Sequence, residues 1–188
     1  MRKTLFAFSF LLLHTTATKA QFYKSFLPSP AFTDSLQKVV LSFSDNYYSI
    51  QGNVLSTQED VDTYQSMINV PGAKNSLIYR FHSERDTTAS WQAIMYKGED
   101  FKEAAKIYKN TFRYVSKARL NIGGFTIGFA GNMEEPSESL RFTASILKAV
   151  SGNNDYKKFV AEVEMVNSFT GWEVHLNLHN KKDDMDKY

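Results

Sequence analysis

The sequence predicts an α+β fold: an antiparallel sheet of about six to seven strands with two amphipathic helices packed on one face. Three observations carry that expectation. Two segments repeat apolar residues at the helical period, several others alternate at period two, and polar turn clusters separate the alternating runs. The order is helix, about three strands, helix, about three strands, so the chain reads as two halves of similar layout.

A leader precedes these elements. Arg2 and Lys3 start the chain, Leu5 to Leu13 (LFAFSFLLL) is apolar, and ATKA ends in the small residue Ala20. That three-part pattern predicts a signal peptide over residues 1–20, cleaved before Gln21. The apolar run is shorter than the roughly 20 residues that span a bilayer, so no membrane span is expected after cleavage. An exported protein, periplasmic or extracellular, is the expectation. Removing the leader takes away Arg2, Lys3 and Lys19, leaving 19 basic residues against 20 acidic ones where the whole chain has 22 against 20. Net +2 becomes −1, and with it goes any electrostatic ground for a nucleic-acid partner. Residues 21–180 fit a single domain, and the mixed-charge tail KKDDMDKY, 181–188, is expected to fray.

The chain has no cysteine. Stability therefore rests on packing rather than on disulfides, and thiol chemistry and cysteine metal sites are excluded. The many aromatic rings, 15 Phe, 10 Tyr and 2 Trp in the whole chain, are expected to fill the core.

The first helix shows as Phe32, Leu36, Val39, Val40 and Phe43, an apolar stripe at helical spacing, with Ser29 as N-cap and Pro30 in the first turn. A polar connection with Gly52 follows, with room for a short strand around Tyr48. Tyr64, Ser66, Ile68 and Val70 alternate before the Pro71–Gly72 breaker, predicting a strand. Leu77, Tyr79 and Phe81 form the next run, and Trp91, Ala93 and Met95 the one after. The short linker SERDTTAS makes those two a hairpin. Arg80 and His82 share a strand face there, with Glu84, Arg85 and Asp86 in the loop, and an outward salt-bridging cluster is expected.

The second helix carries Phe101, Ala105, Tyr108, Phe112 and Val115 on one face, Asp100 as cap with Glu103 three residues on, and Lys102, Lys106, Lys109 and Arg113 outside. Phe125, Ile127 and Phe129 alternate next. Leu140, Phe142, Ala144 and Ile146 alternate too; residues 138–150 also fit a helix, but the following SGNND turn cluster favours a strand. Phe159, Ala161, Val163 and Met165 form another strand.

The last run, GWEVHLNLHN, sets Trp172, Val174, Leu176 and Leu178 against Glu173, His175, Asn177 and His179. Strict alternation makes it a strand, where two histidines four apart lie about 13 Å from each other and cannot share a metal ion. With NSFT, 167–170, as the loop of a hairpin, Met165 faces Trp172 and Val163 faces Val174, which puts every apolar residue on one face. That register also sets Glu164 opposite Glu173 and Glu162 opposite His175. Glu162, Glu164, Glu173 and His175 are thus the candidate polar cluster. Crowded carboxylates raise one another's proton affinity, a start for acid–base catalysis, and oxygen ligands with one imidazole suit a divalent cation. A solvated sheet face, with Glu162 paired to His175, accounts for the same residues.

No G-x-S-x-G, S-x-x-K, H-E-x-x-H or P-loop spacing occurs, and the GGFTIGFAG glycines lack the phosphate-loop order. No catalytic residue, metal or cofactor is assigned. The phrases WQAIMYKGEDFKEAAKIY and FTGWEVHLNLH, with the leader, resemble small exported proteins of Bacteroidetes that have no assigned activity, so the resemblance transfers no functional residue. The reading favours a non-enzymatic module that binds a partner protein or an apolar ligand against its sheet. A hydrolase or metal-dependent enzyme using the Glu/His cluster, and a structural component of an envelope assembly, are the alternatives.

Overall fold

The computed structural model describes residues 27–83 and 87–180. The leader at 1–20, the tail at 181–188, and Glu84, Arg85 and Asp86 lie outside the described residues. Helix α1, Pro30–Ser42, begins where the Ser29 hydroxyl accepts from the Phe32 amide at 3.2 Å, and it buries Phe32, Leu36, Val39 and Val40. Two 3-10 turns, Phe43–Asp45 and Tyr48–Ile50, lead into strand β1, Gln51–Thr57. Then come β2, Val61–Ser66, β3, Asn75–Phe81, and β4, Ala89–Gly98. Helix α2, Phe101–Lys117, is capped by Asp100 Oδ1, which accepts from the amides of Lys102 and Glu103. Strands β5, Leu120–Ile122, β6, Phe125–Ala130, β7, Phe142–Val150, β8, Phe159–Ser168, and β9, Gly171–Asn180, complete the described residues.

All nine strands form one antiparallel sheet in the order β1-β2-β3-β4-β9-β8-β7-β6-β5. The two layers are this sheet and the helix pair. Phe32 of α1 meets Tyr114 of α2 with ring centroids 5.6 Å apart, and both helices bury their apolar stripes in one core with the sheet. Aromatic rings do fill that core. Trp91, Tyr47, Tyr108 and Phe159 are wholly buried, and Phe43 packs edge-on against Phe159 at 4.7 Å. The buried Tyr47 hydroxyl donates to the Leu178 carbonyl at 2.8 Å, which ties the α1–β1 connection to the central strand.

The helix-then-strands order holds, but with four strands after α1 and five after α2. Strands β4 and β8 are each antiparallel to β9 and so run parallel to each other. The halves meet at the antiparallel pair β4–β9, about which β1-β2-β3-β4 and β6-β7-β8-β9 follow the same order in opposite directions, with β5 as the additional edge strand.

Several expectations need correction. The sheet has nine strands, not six or seven, because β1 and β5 carry no period-two signal. The β1 pairing slips twice, between Gln51 and Val54 and between Val54 and Ser56, while β5 is three residues long. Tyr48 lies in a 3-10 turn rather than a strand. Strand β2 stops at Ser66, short of Ile68 and Val70, since the Ser66 hydroxyl both accepts from the Ile68 amide and donates to its carbonyl. Arg80 points inward, not out: it is buried, with its guanidinium on Gln51 Oε1 and the Asn46 carbonyl and 3.7 Å below the Tyr48 ring.

The β8–β9 register is also two residues from the expected one. The turn holds only Phe169 and Thr170, Ser168 pairs with Gly171, and Gly171 takes φ +104°. Met165 therefore faces Val174, Val163 faces Leu176 and Ala161 faces Leu178. A shift of two keeps every side chain on its face, which is why the apolar and polar sets stand as read. Only the cross-strand partners change.

Candidate functional site

Both helices lie on one side of the sheet, so among the described residues its other face is finished by strand side chains. Register places these in rows. Ile94, His175, Glu164 and Ala144 stand abreast across β4, β9, β8 and β7. Beside them run Leu77, Gln92, Asn177, Glu162 and Ile146, from β3 to β7. The shifted register puts Glu164, not Glu162, opposite His175, and separates Glu164 from Glu173 across the strands.

The polar groups bond to one another. Tyr79 donates to Gln92 Oε1 at 3.2 Å, and Gln92 Nε2 donates to Asn177 Oδ1 at 2.9 Å. His175 Nε2 lies 3.1 Å from Glu173 Oε2, and Nδ1 lies 3.7 Å from Glu164 Oε2, an ion-pair contact longer than a hydrogen bond. Lys97 reaches Glu173 Oε1 at 2.9 Å, and Glu162 meets His179 Nε2 at 3.3 Å. Of the four residues expected to cluster, Glu164 and Glu173 gather on His175, and Glu162 joins His179 instead. The sequence reading missed His179, Asn177, Gln92 and Lys97 as members. Their signal was available for β9, where all four polar residues alternate together; Lys97 was hidden by an irregularity after Ile94 that shifts its pairing onto Glu173.

This pairing reverses the expected chemistry of the carboxylates. Glu164 is held below the usual carboxylate range, chiefly by His175, with burial opposing and Asn177 adding. Glu173 is also lowered, first by Lys97, against burial, and then by His175. Neither carboxylate gains proton affinity from its neighbours, because each faces a cation rather than another acid. Burial pushes the His175 imidazole down, but Glu164 and Glu173 more than offset it, so its pKa is raised. Among the described residues no group of three or more His, Asp or Glu side chains is placed to hold a metal ion.

Next to this network the face turns apolar. Phe142 on β7 is 55 % exposed and pairs with Val166, and the Asn167 amide donates to the Arg141 carbonyl one step further out. Leu140, half-exposed, thus stands abreast of the β8–β9 turn, whose tip carries the fully exposed Phe169. At the far side a shallow, open cleft of ≈ 410 Å³ is lined by Arg119, Thr126, Gly128, Phe129, Ala130 and Val150.

No family model, no curated protein and no solved structure matches the chain.

Proposed function

We propose that this is an exported, non-enzymatic module that docks a partner protein on the helix-free face of its sheet. The observation that carries the reading is the exposure of three large apolar side chains, Leu140, Phe142 and Phe169, at the end of the sheet where the start of β7 lies beside the β8–β9 turn. Such side chains gain free energy when a partner covers them, and a buried aromatic anchor is the usual centre of a protein interface. A wide face with an apolar corner suits a protein better than a small apolar ligand, which is held in a concave, enclosed site. The Glu/His groups fit the same reading. Each carboxylate is already paired within the sheet, which leaves a charge-compensated surface for a partner to lie against.

The test is site-specific photo-crosslinking in the native host, with the reactive group at 142 or 169 and, as control, at Lys106 on the outer side of α2. A discrete protein adduct from 142 and 169 but not from 106 is expected. Adducts at all three positions, or none from the sheet, would overturn the docking face. Export is tested separately: the mature protein should begin at or near Gln21 by N-terminal sequencing, and a soluble mature protein that keeps Met1 would refute it.

A further inference from the structure

The two histidines of β9 share a geometry that the docking face does not require. His175 stands between two carboxylates, Glu173 at Nε2 and Glu164 at Nδ1. His179 stands between Glu162 Oε2 at 3.3 Å and the Asn180 carbonyl, 2.7 Å from Nδ1. Every one of these four partners is an acceptor. A neutral imidazole has one N–H and one lone pair, so it satisfies only one acceptor and turns its lone pair on the other; the imidazolium donates from both nitrogens. Each ring therefore fits its site in the protonated form.

We propose that His175 and His179 form a two-proton latch across β8 and β9, closed when both imidazoles are charged. Closed, the latch joins the central hairpin by ion pairs: Glu164 and Glu162 on β8 are each held by a cation on β9. Side-chain exposures of 13 % for His175 and 15 % for His179 keep water from replacing these contacts cheaply. Loss of the protons leaves Glu162, Glu164 and Glu173 with Lys97 as the cation bonded within the cluster, and turns imidazole lone pairs toward acceptors. The hairpin is then weaker and its face more negative.

The surroundings of His175 support that direction. From β4 it meets Ile94, Gln92 and Lys97, and the lysine is bound to Glu173 rather than to the ring. From β8 it meets Glu164 and Glu162, on its own strand Glu173, Asn177 and His179, and beyond β8 the apolar Ala144 and Ile146. Tyr79 of β3 is joined to the network through Gln92. Among the described residues no helix covers this side. The acids nearest the ring thus outnumber the cations, and they favour its charged form.

The sign follows from linkage. A group whose folded pKa is raised adds stability that is complete below its unfolded value, about 6.5 for histidine, and is lost as pH rises through the folded value. The latch is therefore closed below the ordinary histidine range and opens as pH rises above it, through the folded value.

The test uses the full mature chain alone, so it stands or falls independently of whether a partner docks. Histidine ring signals are followed by NMR from about pH 5 to 9, assigned with His175→Gln and His179→Gln. Both rings are expected to titrate above the ordinary value, and Tm is expected to fall by a few degrees between mildly acidic and mildly alkaline pH. The double variant should lose that slope. A ring at or below the ordinary value, for either histidine, overturns the two-proton latch. So does a double variant that folds and keeps the wild-type slope. The wild-type titration decides the matter even if the double variant does not fold.

Discussion

The two faces of the β8–β9 hairpin are built from the same twenty residues and held by different physics. Toward the helices, Phe159, Ala161, Val163, Met165, Trp172, Val174, Leu176 and Leu178 are all buried and contribute through area removed from water. Away from them, Glu162, Glu164, Glu173, His175 and His179 contribute through charge pairing that is partly solvated. The first kind is indifferent to pH and to the identity of a single partner. The second depends on both. One hairpin can therefore be the firm centre of the fold and, on its other side, an adjustable surface.

The comparison is broken most severely from the inside. Leu176→Ala should cost about 2–5 kcal/mol, because a fully buried side chain between Ala93 and Val163 leaves a cavity the sheet cannot close. Chemical denaturation measures it, and a loss below about 1 kcal/mol would mean the inner face is not close-packed. Gly171→Ala comes next, at about 1–3 kcal/mol. Its φ of +104° strains any L side chain, and an added Cβ would meet the Gly98 carbonyl oxygen at 2.6 Å. A neutral result there would deny the two-residue turn that sets the register.

That turn marks the limit of what the residues alone disclose. Alternation in 159–165 and 172–178 assigned each side chain to a face, because face depends only on parity. Cross-strand partners depend on loop length, and NSFT accommodates either a four-residue loop or the observed pair Phe169–Thr170. Parity was legible; the turn was not. The same reasoning explains the strand count. β3, β4, β8 and β9 bury one face regularly, so their pattern is periodic, whereas β1 slips twice against β2 and exposes most of its length. Arg80 was misread for a related reason: on a strand near the sheet margin, a buried arginine beneath Tyr48 and an exposed one leave the same letters. In the candidate site, the membership of Glu164, Glu173 and His175 was readable from parity, and the pairing that lowers the carboxylates was not.

On the outer face the effects are smaller and depend on pH. His175→Gln should cost about 1 kcal/mol in mildly acidic solution, a figure discounted for partial solvation, and close to nothing well above neutrality. Glu164 and Glu173 raise the pKa of the wild-type ring, so its paired charge is kept in the first condition and is lost as pH rises through the folded value. Glu164 and Glu173 act in the opposite sense, since their lowered values add stability above the ordinary carboxylate range that is lost as pH falls. Stability should thus peak between the two titrations. Denaturation of wild type and variant at three pH values checks this, and a pH-independent difference would show that packing, not charge, sets the cost. Lys97→Ala should cost within about 0.5 kcal/mol, because Lys97 is 50 % exposed and its pair with Glu173 competes with water.

The smallest effect on stability is expected where the effect on docking is largest. Phe169 is fully exposed at the tip of the turn and its side chain rests on nothing that folding needs. Phe169→Ser should therefore leave the free energy of unfolding within about 0.5 kcal/mol of wild type. With Phe142→Ser, which removes the neighbouring half-exposed ring, it should also abolish the photo-crosslinked adduct formed from an adjacent position such as Thr170. The two measurements must be made on the same double variant, because their conjunction separates a recognition residue from a structural one. A drop of 2 kcal/mol or more would assign these rings to the fold, and an undiminished adduct would move the partner to another surface. An unchanged fold that has lost its adduct is the outcome the outer face predicts, since a side chain kept in water by the folded chain can gain free energy only from a second molecule.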